Sequence, residues 1–279
     1  MPSSPTANHP DRGPSAPWHM PWALKASVGV HAAAGVAVAA MPELWPQALA
    51  SVVANHAAIT ALGLWPTSRL LGPNILRLPP AAITRREITL TFDDGPDPAV
   101  TPQVLDLLDA FQVKATFFCI GVRVLQHPEL AREIVRRGHR IENHSHAHRH
   151  TFSVSGLKRI EQEIRRGQDA IADTVGRVPV FFRAPAGLRN VFLDPVLHKL
   201  DLRLASWTRR GFDTARSDAD YVAHRLIDNL APGDLLLLHD GHAARTSAGT
   251  PVIIEVLPRL LEACLARNVH PVTLDAAFS

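Results

Sequence analysis

Residues 88–98, Ile88-Thr89-Leu90-Thr91-Phe92-Asp93-Asp94-Gly95-Pro96-Asp97-Pro98, decide how the rest of the chain is read. Ile88, Leu90 and Phe92 alternate with threonines, the period-2 pattern of a β-strand. The strand runs into two adjacent carboxylates and then Gly95-Pro96, where the chain must turn. Two charges at the rim of a sheet or barrel can divide one task. One binds a metal while the other takes a proton from whatever the metal holds. Asp, Gly and Pro are equally ordinary in a surface turn, so the downstream sequence decides between the readings.

Beyond this stretch, strand-like and helix-like segments alternate. Strand patterns fall at 88–92, 115–119, 139–143, 179–182, 202–207, 235–239 and 269–274. Helical patterns fill the gaps at 101–112, 128–138, 155–175, 192–200, 217–230 and 251–267, with Pro102, Pro128 and Pro251 near helix starts. Seven strands joined by helices imply parallel pairing through right-handed crossovers. The fold class is α/β: an incomplete (β/α) barrel or a doubly wound sheet. In both, chemistry gathers at the C-terminal ends of the strands.

The residues after each strand are informative. The first strand is followed by Asp93 and Asp94, and the third by Glu142-Asn143-His144-Ser145-His146-Ala147-His148-Arg149-His150. The fourth ends in Phe182-Arg183-Ala184-Pro185-Ala186-Gly187, and the fifth in Trp207-Thr208-Arg209-Arg210-Gly211-Phe212-Asp213. The sixth ends in His239-Asp240-Gly241. Titratable residues recur at one rim, strand after strand. Two imidazoles and a carboxylate make a facial set of ligands that leaves positions open, as hydrolytic Zn²⁺ sites do. His144 and His148 are four apart and share a face in a helical turn or an extended segment. Asp94 would complete the set, and His146 or His150 could substitute as a ligand.

Composition excludes other classes. The chain has 279 residues, 46% hydrophobic, with a net charge of +3. Its scattered arginines argue against a nucleic-acid surface. Cys119 and Cys264 sit far apart in apolar runs and read as small buried residues.

The N-terminal part differs from the rest. Residues 1–21, rich in Pro, Ser and His, read as a disordered tail. Trp22 to Met41 carries one charge, Lys25, and Leu44 to Trp65 carries none, so each approaches the ~20 residues that cross a bilayer. Trp22, Trp45 and Trp65 lie at the span ends, where interfacial aromatics are favoured. The expectation is a transmembrane helical hairpin over 22–65, then a Pro-punctuated linker over 66–86 and a catalytic domain over 87–279. Buried Ala-rich helices or a cleaved signal peptide are the alternatives. Arg12 and Lys25 precede the first span, and Arg69, Arg77, Arg85 and Arg86 follow the second. The positive-inside rule then sets the tail and the C-terminal domain on the cytoplasmic side of the membrane.

The motifs TFDDGPDP, NHSHAH, FRAPAG and LLLLHDG, in this order, resemble those of the polysaccharide deacetylase family. This is the NodB-homology group, carbohydrate esterase family 4, and the resemblance covers about residues 85–279. It implies a deformed (β/α)₇ barrel and a hydrolase that removes N- or O-acetyl groups from sugars with a divalent metal, commonly zinc. It further implies Asp94, His144 and His148 as metal ligands and Asp93 as general base, with Arg183 as its counter-charge. Ala186 would offer its backbone N–H to the oxyanion, and His239 would be the general acid, oriented by Asp213. Trp207 and Leu237 would wall the acetate pocket.

Two departures stand out. Ala186 replaces the family's usual Tyr, and Thr214 replaces its usual Trp. Both open the sugar-binding rim, where Arg209 and Arg210 would favour an anionic group such as phosphate. The substrate expected is an amino sugar of a cell-envelope glycan or a lipid-linked sugar, carrying an acetyl or formyl group, at a bacterial inner membrane. No specific protein partner is expected. A non-catalytic glycan-binding module and an O-acetyl esterase are the competing readings.

Overall fold

The computed structural model describes residues 17–279. The expected disordered tail falls largely on residues 1–16, which lie outside the described residues. Of its last part, Trp18 donates from Nε1 to Asp194 Oδ2 at 2.8 Å.

Helix α1 (Trp22–Ala40) and helix α2 (Trp45–Gly63) form the N-terminal hairpin, joined by the short turn Pro42–Leu44. A polar seam links them: Asn55 Nδ2 donates to Ser27 Oγ at 2.7 Å, and the His31 and His56 rings meet at 3.2 Å. Trp22, Val28, Val36, Trp45, Leu49, Val53 and Trp65 are exposed. Among the described residues, α1 alone is long and apolar enough to cross a membrane. Gln47, Asn55 and His56 dilute the hydropathy of α2, so the two expected spans become one qualifying helix and a more polar partner.

The rest is a parallel sheet wrapped by helices. Its strands are β1 (Glu87–Asp93), β2 (Thr116–Cys119), β3 (Arg140–Asn143), β4 (Phe181–Phe182), β5 (Arg203–Leu204), β6 (Arg209–Arg210), β7 (Leu235–His239) and β8 (His270–Pro271). The order is β5-β4-β3-β2-β1-β7-β6, with β8 also paired to β1, every pairing being parallel. All seven expected strands are present, several of them shorter than their sequence patterns. The eighth, β6, has only two residues and no periodicity that could have announced it.

Residues 66–86 are packed into the domain. Leu71, Leu78 and Ala82 are buried, Ile75 pairs with Ala205 beyond β5, and Arg77 pairs with Asp234 beneath β7.

Alternation along the strands separates structure from chemistry. Ile88, Leu90 and Phe92 of β1, with Leu236 and Leu238 of β7, join the main hydrophobic cluster. Helices Thr101–Ala110, Ala219–Ile227 and Val252–Ala266 pack on this cluster through Val104, Leu105, Leu226, Val256 and Leu260. The intervening Thr91, Asp93, Leu237 and His239 take the other face. A fully buried Val, Leu, Ile or Phe contributes roughly 1.5–3 kcal/mol, so this outer cluster fixes the register that the inner residues depend on.

Candidate active site

β1 ends at the point where the chain must leave extended geometry. Asp94 has φ of 72°, in the left-handed region that Asp tolerates better than most residues. Continued alternation would send Asp94 to the face opposite Asp93. The left-handed turn instead brings both carboxylates to the cleft mouth. Gly95 is required here, because a Cβ on it would lie 2.3 Å from the buried Asp240 carboxylate.

The histidine loop after β3 is anchored from beneath. Asn143 donates to the Ile164 carbonyl at 2.8 Å and accepts from the Ser145 N–H at 2.8 Å. Ala147 N–H donates to Glu163 Oε2 at 3.1 Å, which ties the loop to helix Leu157–Val175. Ser145 Oγ accepts from His148 N–H at 3.0 Å, and Ser145 and His148 both have positive φ.

These constraints bring three side chains together. Ligand-type atoms of Asp94, His144 and His148 all lie within 4.8 Å of one another. Asp94 Oδ1 is 3.5 Å from His144 Nε2 and 3.3 Å from His148 Nε2. His144 Nδ1–H donates to the Arg183 carbonyl at 2.9 Å, which fixes the tautomer and turns Nε2 toward Asp94. Asp94 Oδ1 is buried without a hydrogen-bond partner. An orphaned carboxylate oxygen facing two imidazole nitrogens is a donor set that fits a divalent cation.

The charges agree with that fit. Burial would raise the Asp94 pKa, but the imidazoles of His144, His242 and His148 hold it well below the usual carboxylate range. His148 is pushed down to about 4, by burial and then by His144. Burial opposes protonation of His144 as well, yet Asp93 and Asp94 raise its pKa.

Two further carboxylate pairs flank the triad. Asp93 Oδ1 accepts from Arg183 at 2.6 Å, and its Oδ2 lies 3.7 Å from His144 Nε2. Arg183 is 1% exposed and also donates to Thr91 Oγ1 and to the Ala205 and Ser206 carbonyls. Its guanidinium stacks on Phe118 at 4.1 Å. On the other side His239 Nδ1 meets Asp213 Oδ1 at 2.8 Å, and Asp213 Oδ2 accepts the His239 backbone N–H at 2.7 Å. Burial alone would lower the His239 pKa, but Asp213 overrides it, with help from Asp93 and Asp94, and pushes it up to about 9.

A cleft of about 650 Å³ opens over these groups. Asp93, Asp94, His144, His148, Ala186, Trp207, Arg210, Leu237 and His239 all line it. Ala186 has φ of 54°, on the short turn Pro185–Gly187. Arg183 and Asp213 act from behind the wall.

Arg209 is a correction. β6 sends it to the face away from the cleft, where it donates to Asp234 Oδ2 at 2.7 Å. It does not line the first cleft with Arg210. His146 also departs from the loop's ligand set: its ring packs against Gly121, where a Cβ would approach within 2.8 Å.

The sequence reading missed Arg123 and His242. His242, at φ of 57°, reaches Asp94 Oδ2 at 3.4 Å and Arg123 at 3.0 Å, and both residues line the cleft. Nothing in the run HDGH distinguishes His242 from a solvated loop residue. Arg123 lies on helix Gly121–Gln126, too short for a periodic signal.

Comparison with known proteins identifies the family. Residues 82–205 match the family model described as polysaccharide deacetylase. A peptidoglycan-N-acetylglucosamine deacetylase of Bacillus cereus is 37% identical over 175 residues, 62% of this chain and 81% of the relative. A chitooligosaccharide deacetylase of Azorhizobium caulinodans is 35% identical over 164 residues, 58% of this chain and 78% of the relative. Among solved structures, a family 4 carbohydrate esterase from Streptomyces lividans in complex with acetate aligns with a TM-score of 0.60 at 30% identity. That alignment covers 66% of this chain and 91% of the esterase.

Proposed function

The chain belongs to the polysaccharide deacetylase family, and from that premise we propose that it is a metal-dependent carbohydrate deacetylase. Its substrate is an amino sugar of a cell-envelope glycan or glycolipid, which loses an N-acetyl or formyl group. The observation that carries this reading is the convergence of Asp94, His144 and His148 on one point, flanked by the Asp93–Arg183 and His239–Asp213 pairs.

Asp94, His144 and His148 would hold a divalent cation, zinc foremost, which supplies Lewis acidity to an amide carbonyl and acidity to a water when bound. Asp93 is the base: Arg183 engages Oδ1 and leaves Oδ2 to take a proton from the attacking water. Ala186 lines the cleft, and its backbone N–H would donate to the oxyanion, a donor typically worth about 3 kcal/mol. Leu237 and Trp207 wall the acyl group.

His239, with Nδ1 committed to Asp213, delivers a proton to the departing nitrogen. The C–N bond breaks to leave a free amine and acetate or formate.

The apolar α1, with its exposed Val and Trp side chains, supports attachment to a bacterial inner membrane. The arginines after α2 favour a cytoplasmic domain.

Acetate release from chitooligosaccharides by the purified full chain, stopped by a chelator and restored by Zn²⁺, tests the reading. A glycan-binding module without catalysis would bind the oligosaccharide and release nothing.

A further inference from the structure

Arg210 lines the cleft and has no role in the deacylation chemistry. Its neighbour Arg209 is engaged with Asp234, as is Arg77 at 3.2 Å. Arg210 points the other way and makes no ion pair among the described residues. Its Nε is buried without a hydrogen-bond partner. Its guanidinium lies 4.9 Å from the Phe212 ring centre and 5.5 Å from that of Trp207. Stacking of this kind holds the planar fork in a fixed orientation, with its N–H groups available for bidentate contact.

Arg225, on helix Ala219–Ile227, stacks over the same Phe212 ring at 5.6 Å and likewise makes no ion pair among the described residues. Both arginines line a second crevice of about 500 Å³, and Arg210 lines the first cleft as well. The crevice sets the four guanidiniums of Arg77, Arg209, Arg210 and Arg225 against the two carboxylates of Asp228 and Asp234, and Asp234 is engaged by Arg77 and Arg209, so two cations are in surplus. Arg210 therefore stands where the crevice meets the catalytic cleft, and Arg225 lies on the crevice side of the same Phe212 ring.

We propose that Arg210 and Arg225 form a subsite for a phosphate group carried by the amino-sugar substrate. The inference rests on the deacetylase reading of the adjoining cleft. Two uncompensated cations match the charge of about −1.5 to −2 that a phosphate monoester carries at pH 7, whereas a carboxylate would balance only one.

The full chain in detergent is assayed for acetate release from four substrates. They are a neutral chitooligosaccharide, N-acetylglucosamine 1-phosphate, the same sugar joined through a diphosphate to a lipid tail, and N-acetylmuramic acid. Binding of inorganic phosphate is measured separately by titration calorimetry. The phosphate-bearing substrates are expected to exceed the neutral one in kcat/KM by about tenfold or more, through KM, as charge-assisted hydrogen bonds allow. Arg210→Gln and Arg225→Gln each reduce that preference about tenfold and weaken phosphate binding, while Arg225→Lys restores part of both. Equal preference for the soluble and lipid-linked forms assigns recognition to the phosphate itself; preference for the lipid-linked form alone assigns it to a headgroup presented by a membrane.

A preference that survives both substitutions, no preference, or an equal preference for the carboxylate overturns the subsite. Acetate release from the neutral substrate without a phosphate preference sinks the subsite and leaves the deacetylase reading standing. Phosphate binding that depends on Arg210, with no acetate from any substrate, sinks the deacetylase reading instead.

Discussion

Asp93 and His239 are register partners: the pairing of β1 with β7 that sets Thr91 beside Leu237 sets Asp93 beside His239. Neighbouring strands run about 4.8 Å apart, so the proposed base and acid flank one small volume. Each is held from its far side by an opposite charge, Arg183 at 2.6 Å and Asp213 at 2.8 Å. The apolar residues that immediately precede them, Phe92 and Leu238, face the core and fix that register.

In the proposed mechanism the His239–Asp213 pair sets the alkaline limit of activity. The working form of His239 is protonated, and its pKa is pushed up to about 9, so kcat/KM falls as pH rises through that value. Asp213→Asn removes the main influence raising it, and the alkaline limb moves to lower pH. The same pair contributes stability that is fully present below the unfolded histidine value of about 6.5 and is lost as pH rises toward 9. A pH–rate profile of the variant with an unmoved limb would contradict the assignment.

Arg183→Met leaves the Asp93 carboxylate, 3% exposed, without its counter-charge. Breaking a buried pair from one side costs about 3–5 kcal/mol, so thermal unfolding shifts down by several degrees and turnover falls with it. Arg183→Lys keeps the charge and loses the fork that also reaches Thr91, Ala205 and Ser206. It recovers part of the stability and little of the rate. Calorimetry and acetate release measure the two effects.

Removal of one imidazole reports on the ligand set. His148→Ala is expected to weaken Zn²⁺ binding by two orders of magnitude or more, while His146→Ala, on the far side of the loop against Gly121, leaves it within a few-fold. Competition with a chromophoric chelator gives both constants. Equal losses would remove the distinction between the two histidines.

The sequence made these residues visible because each follows a strand whose alternation is strong. Ile88-Thr89-Leu90-Thr91-Phe92 and Leu235 to Leu238 announce themselves, and the polar residue after each must lie at the rim. Short elements carry no such signal. β6 is two arginines, and which of them faces the cleft depends on Asp234, a partner 25 residues away in sequence. The proline-rich stretch 66–86 reads as a tether because its contacts, Ile75 with Ala205 and Arg77 with Asp234, are long-range. The left-handed turns at Asp94, His148, Ala186 and His242 aim the site residues, and none is legible from composition.

Helix α1 is expected to retain the chain in the membrane. Intact protein should sediment with membranes and resist carbonate extraction, whereas a chain lacking residues 22–40 should shift toward the soluble fraction. In spheroplasts, external protease should leave the C-terminal domain intact. Digestion from outside would reverse the orientation drawn from Arg69, Arg77, Arg85 and Arg86.

In the proposed mechanism Asp93 acts as a base beside a cation held by Asp94, His144 and His148. The direct measurement is Asp93→Asn in the full chain, assayed for acetate release and bound zinc together. Turnover is expected to fall by about three orders of magnitude or more with about one zinc per chain retained; full activity, or zinc lost along with activity, would overturn the role of Asp93 as base.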